Sequence, residues 1–259
     1  MYSLGLDSPA AVDHLHRSLA LIVHLELPQT HAWVHRSPSA SSEITTVDGA
    51  HPDAPVSVEH SLRSAVTAAL ESASQIRYLI ESEAFAPAPF RAALRTILMS
   101  AGRLGYVALP ATQEERRRHA EHVLGVEARS LVFAIKDIDQ ITNLAGLRWT
   151  PDEVNELRRK AATISTGQIP GDRTLIRTAA ELIGEHVHAA DPTISATTLR
   201  DHLAWAWHTS SGSAHGFAWQ SLASGDFVTD LGDVLSAFHF TLDAAQEMWV
   251  HPENLADAP

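Results

Sequence analysis

The chain has 259 residues, 45% of them apolar, which is enough to bury a sizeable core in one large or two small domains. Lys and Arg total 19 against 31 Asp and Glu, a net charge of −12, so a broad basic nucleic-acid surface is excluded, though a local basic patch is not. Cysteine is absent, which removes disulfides and thiolate metal sites.

Ala, Leu, Glu and Arg dominate, and β-branched runs are short. Over long windows this favours helix. The longest apolar run, Leu19 to Leu27, contains His24 and Glu26 and is too short to span a bilayer, so no membrane partner is expected. The first residues lack a basic n-region and a clean apolar h-region. A cytoplasmic location is the expectation.

In chain order, Ser8 to about His24 reads as a first helix, with Leu15, Leu19, Ile22 and Val23 at helical spacing. Pro28 ends it. His31 and His35 stand one helical turn apart, a spacing that suits either a metal pair needing a third ligand or a loop. Arg36 to Val56 is rich in Ser, Pro, Asp and Gly and reads as a long flexible loop. The expected organisation is an N-terminal helix plus loop over 1–56 and a helical bundle over 57–259.

Ser57 can cap a long helix to Glu83, whose apolar face runs from Leu62 to Leu79. Ala86-Pro87-Ala88-Pro89 breaks the chain, and Phe90 to about Ala108 forms the next helix. Its small residues Ala101, Gly102 and Gly105 permit a close helix neighbour. Thr112 to Glu115 is a capping box opening a helix to about Ile141. Arg116, Arg117, Arg118 and His119 near its start are the only dense basic cluster, and read either as phosphate or acid–base chemistry or as a solvated face balanced by Glu114, Glu115 and Glu121. Thr150-Pro151-Asp152-Glu153 starts another helix, ending near Thr163. Helices follow over Arg173 to His188, from Ser195 or Thr197 onward, and from Val228 to Val250. The class is all-α, a bundle of about seven or eight helices. There is no phosphate-loop pattern, no Asp-rich pair of the prenyl-diphosphate type and no Gly-x-Ser-x-Gly elbow, and no cofactor is implied.

The unusual stretch is Trp205 to Trp219, which holds three tryptophans, His208, His215 and a run of small residues. His208 and His215 are seven residues apart, so a continuous helix would put both on nearly the same face. Two imidazoles beside hydroxyls can do acid–base chemistry. Cutting RNA needs a base for the 2′-OH, an acid for the leaving oxygen and a cation for the phosphate. His208 and His215 suit the first two roles and Arg200 the third, with Ser211 and Trp207 as binding candidates. The alternative is structural: Ser211, Gly212, Ser213, Ala214 and Gly216 allow close helix contact, and His215 bonds a neighbouring helix. A metal reading would draw on His31, His35, His186, His188, His202 and His208 among the 16 histidines.

The Trp-rich helix running into Ser211-Gly212-Ser213-Ala214-His215-Gly216 resembles a family of all-helical actinobacterial proteins. That arrangement is similar to the HEPN superfamily, marked by an Arg and, a few residues on, a His at the end of one bundle helix. The resemblance covers mainly Ser57 to Trp219, including the Arg91-Ala92-Ala93-Leu94 helix and the Thr112 to Lys136 helix. It implies a HEPN-like core and a homodimer that binds RNA and could act as a metal-independent endoribonuclease. Some members are instead inactive modules for a protein partner. His215 matches the motif His, whereas His208 stands where the pattern has Arg, and it is a phosphate clamp only when protonated. Arg117-x4-His122 also fits the spacing but lies near a helix start.

Overall fold

The computed structural model describes residues 6, 8–84, 86–140, 149–164, 171–214 and 226–250. The described residues form ten α-helices and one short 3-10 helix, with no strand among them. The helices are α1 (Pro9–Glu26), α2 (Pro28–His31), α3 (Glu43–Ala50), α4 (Val58–Glu81) and α5 (Pro87–Ala108). They continue as α6 (Gln113–Gln140), α7 (Pro151–Thr163), α8 (Asp172–Ala190), α9 (Ala196–Ala214) and α10 (Phe227–Trp249). The 3-10 turn, Ala32–His35, follows α2 directly.

Eight of these coincide with the helices expected from spacing and caps; the additional two are α2 and α3. The expected start signals are in place. Ser57 accepts from the His60 amide at 3.0 Å, and Thr112 from that of Glu115 at 3.2 Å. Thr150 and Glu153 close a reciprocal capping box. α4 stops at Glu81 because Glu83 turns left-handed, with φ 53°, and its own amide and that of Ala84 return to the Ile80 and Leu79 carbonyls.

The segment expected to be a flexible loop holds α3. Ser42 caps it, and Ile44 and Val47 are buried in the common core. Asp48 then supplies a second cap: its carboxylate accepts from the Val58 amide at 2.6 Å and the Glu59 amide at 3.1 Å, at the start of α4. Two apolar side chains and two caps hold a segment whose composition alone suggests a loop. The same region is tied to the far end of the chain. Trp249 Nε1 donates to the Arg36 carbonyl at 2.9 Å, and the Trp33 and Trp249 rings meet edge to face at 5.0 Å.

The bundle is built around α5, which packs against α4 and α10 and also against α8, α9 and α6. It is buried from Phe90 to Val107 on most of its circumference. The small residues expected to admit a neighbour do so. A Cβ on Gly102 would lie 2.5 Å from Ile176 Cδ1, and one on Gly105 would lie 3.0 Å from Thr241 Cγ2. α8 and α9 form a hairpin beside α5, and α1 lies on α10. No helix among the described residues is long and apolar enough to cross a membrane.

Candidate functional site

α9 carries the motif segment and stays helical through Ser210-Ser211-Gly212-Ser213 to Ala214. Thr209, Ser210 and Ser211 are buried, while Trp207 and His208 are half-buried. The Trp207 and His208 rings meet edge to face at 4.9 Å. His215 lies outside the described residues, as does Trp219.

What faces this helix end is a pair of arginines one turn apart on α5. Arg91 donates to Thr209 Oγ1 at 3.3 Å and pairs with Asp230 on α10. Both partners of that ion pair are nearly buried, at 12% and 9% side-chain exposure. Burial pushes the Asp230 carboxyl up from its ordinary value, and the Arg91 guanidinium pulls it back. Arg91 also sits over the Phe227 ring, 5.5 Å from its centre. Its charge is therefore committed to the fold.

Arg95 is different. Its Nε donates to Ser211 Oγ at 2.9 Å, and it has no carboxylate partner among the described residues. Its terminal NH2 groups retain their donors and their charge. The chain thus has a guanidinium against the motif helix, where the sequence pattern offered His208 instead of Arg.

Arg200 sits elsewhere. It is eight residues before His208, about 12 Å along the helix axis. Its guanidinium pairs with Asp201 at 2.8 Å, in a cleft of about 530 Å³ between α8 and α9 that Arg177, Thr174 and Glu181 also line. Ser211 meets Arg95, not Arg200, and Trp207 and His208 lie about one turn before Ser211 on the same helix. Arg95 went unselected because its partner is distant in sequence. The available signal was an Arg91-x3-Arg95 pair on one face of a largely apolar helix.

The basic cluster at the start of α6 divides by role. Arg116 makes a two-pronged pair with Glu43, at 2.6 Å from both oxygens, and donates to the Pro110 carbonyl at 2.7 Å. Arg118 is exposed. Beside it, the end of α5 and the first turns of α6 build a Tyr–His–His cluster. The Tyr106 and His119 rings stack at 3.9 Å, and Tyr106 Oη lies 2.9 Å from His122 Nδ1. His119 Nδ1 faces the Tyr106 carbonyl at 2.6 Å; a carbonyl only accepts, so this nitrogen carries the proton. Burial pushes both imidazoles below the ordinary histidine value of 6.5, with the Arg118 charge adding to it. Burial raises the Tyr106 hydroxyl.

A histidine held neutral by the fold destabilises it in acid. Above pH 6.5 the rings are neutral in folded and unfolded chains alike, and the contribution is complete. As pH falls below that value the unfolded chain takes protons first, and stability is lost down through the folded pKa values. The expected result is a melting temperature that falls from about pH 7 to about pH 5, with a smaller fall in the double variant His119→Asn, His122→Gln. Equal slopes for the two proteins would contradict this.

The histidines of the metal reading are dispersed. The His31 and His35 rings do meet, edge to face, with centres 5.8 Å apart. His188 Nδ1 meets the Ile194 carbonyl at 2.8 Å, and His202 Nδ1 meets Asp233 at 2.8 Å. Among the described residues no group of three or more His, Asp or Glu is arranged to hold a metal.

The molecule these features define is an all-α bundle with a central buried helix. No protein-family model, curated protein or solved structure matches the chain.

Proposed function

We propose that this helical bundle binds RNA at the end of α9 and cleaves it without a metal, in the manner the HEPN resemblance implies. The supporting observation is Arg95, an uncompensated guanidinium 2.9 Å from Ser211 in the motif segment. Arg95 takes the phosphate-holding role that the pattern assigns to Arg and that His208 fills poorly at neutral pH. His208 takes the proton of the 2′-OH as it attacks the phosphorus, and His215 gives a proton to the departing 5′ oxygen. Trp207 supplies contact area on the approach, and Ser211 orients Arg95 through their 2.9 Å hydrogen bond. The reading includes a cytoplasmic homodimer.

A second reading keeps the bundle as a non-enzymatic module for a protein partner. Its support is the adjacent exposed pair Val132 and Phe133 on α6, 38% and 59% exposed, on a chain of net charge −12.

RNA binding and cleavage by wild type, Arg95→Ala and His215→Ala, with chelator present, separate the two. The first reading expects cleavage by wild type only. It expects Arg95→Ala to weaken binding about tenfold and to reduce the log–log salt slope by about 0.7, one single-strand phosphate contact. A folded wild type that neither binds nor cuts RNA supports the second reading.

A further inference from the structure

Arg95 also belongs to a larger feature. α4, α5 and α6 enclose an open groove of about 610 Å³ whose lining includes Arg95, Thr96, Arg103, Arg129, Ser130 and Phe133. In a chain with 31 acidic and 19 basic residues, this lining holds three arginines against one carboxylate, Asp172. Arg103 is partly neutralised by Glu127, at 2.6 Å. Arg95 and Arg129 have no carboxylate partner among the described residues. Ser64 and Ser100 add further hydroxyls to the walls.

We propose that this groove carries a single-stranded polynucleotide, with Arg95, Arg103 and Arg129 on its phosphates and a base stacked on Phe133. The proposal rests on the RNA reading above and specifies its substrate class and path. Arg95 and Arg103 are eight residues apart on α5, about 12 Å along the axis, a spacing that suits successive phosphates of one chain better than a single small anion. Arg129 and Phe133 are one turn apart on α6 and share a face, which pairs a cation with an aromatic ring. Phe133 is 59% exposed, a large apolar face left in water unless something flat covers it. Cationic groove plus aromatic platform is the arrangement that holds single strands; in a duplex the base faces are already stacked. Arg95 links the groove to the motif helix, since it lines the groove and also donates to Ser211 on α9.

The test is fluorescence anisotropy with a labelled single-stranded RNA, a double-stranded RNA of equal length and a polyglutamate competitor. The proteins are wild type, Phe133→Ala, Phe133→Trp and Arg129→Ala; both positions are exposed, so folding is unaffected. The expected result is preference for the single strand and weakening of about 5- to 100-fold in Phe133→Ala, restored in Phe133→Trp. Arg129→Ala reduces the salt slope by about 0.7. Wild-type binding that is unchanged in both Phe133→Ala and Arg129→Ala overturns the groove assignment and leaves the RNA reading standing. Polyglutamate displacing the single strand as well as unlabelled RNA does also overturns it, in favour of an acidic peptide. No RNA binding by wild type removes both.

Discussion

Arg91→Ala lowers the stability of the fold by about 3–5 kcal/mol. Arg91 and Asp230 join α5 to the start of α10 with both side chains almost out of water. Taking two charges out of water costs several kcal/mol each, and their mutual attraction offsets that only while both are present. Deleting the arginine leaves the Asp230 carboxylate alone at 9% exposure, flanked by the charges of Asp226 and Asp233. It also removes the donor to Thr209 Oγ1 and the cation over Phe227. In a domain of this size each kcal/mol is worth about 2–4 °C in melting temperature. The double variant Arg91→Met, Asp230→Leu is expected to recover most of the loss, because an apolar pair of similar volume has no charge to desolvate. Denaturant unfolding of the single and double variants measures both. A cost below about 1 kcal/mol for Arg91→Ala would mean the pair does not brace the helices, and that α9 is positioned by apolar packing alone.

Gly184→Ala is the second large effect. Alanine in place of glycine within a helix ordinarily gains about 1 kcal/mol. At Gly184 the new Cβ would lie 2.5 Å from the backbone carbonyl oxygen of Ala196, in the first turn of α9. A backbone carbonyl cannot swing aside, so the α8–α9 hairpin must open. Overpacking usually costs about 1–3 kcal/mol, so after the helix-propensity gain the expected net result is a destabilisation of up to about 2 kcal/mol. Gly232 supplies the control. A Cβ there would lie 2.2 Å from His14 Nε2, the far end of a side chain that is half-buried and able to turn. Gly232→Ala is therefore expected to cost less than Gly184→Ala. Equal melting temperatures for wild type and Gly184→Ala would contradict the close approach.

Helix starts were legible because a cap is a local device: Ser57, Thr112 and Thr150 each act on an amide three residues away. The small residues of α5 were legible as a close-packing face, since glycine has few other uses inside a helix. α3 was not legible. Its Ser42 cap is local too, but an eight-residue helix needs more than a cap, and the burial of Ile44 and Val47 against distant helices is not written in the local composition.

Within the candidate site, Trp207, His208 and Ser211 were visible as an unusual cluster on one helix. Ser211's partner Arg95 is 116 residues away, and only the packing of α5 on α9 brings it there. Asp230 did leave a signal. A carboxylate among Val228, Leu231, Val234 and Leu235 on a buried helix face requires a cation, and Arg91 meets that requirement. The Tyr106–His119–His122 cluster was half visible: the histidines share a face of α6, but the tyrosine reaches them across the α5–α6 turn.

The most direct test of the central claim is the affinity of folded wild type and Arg95→Ala for single-stranded RNA, measured across a salt series. Wild type is expected to bind in the micromolar range with an affinity that weakens with salt, and Arg95→Ala to bind more weakly with a slope flatter by about 0.7 in the log–log plot. Identical curves for the two proteins, or no binding by either, would contradict it.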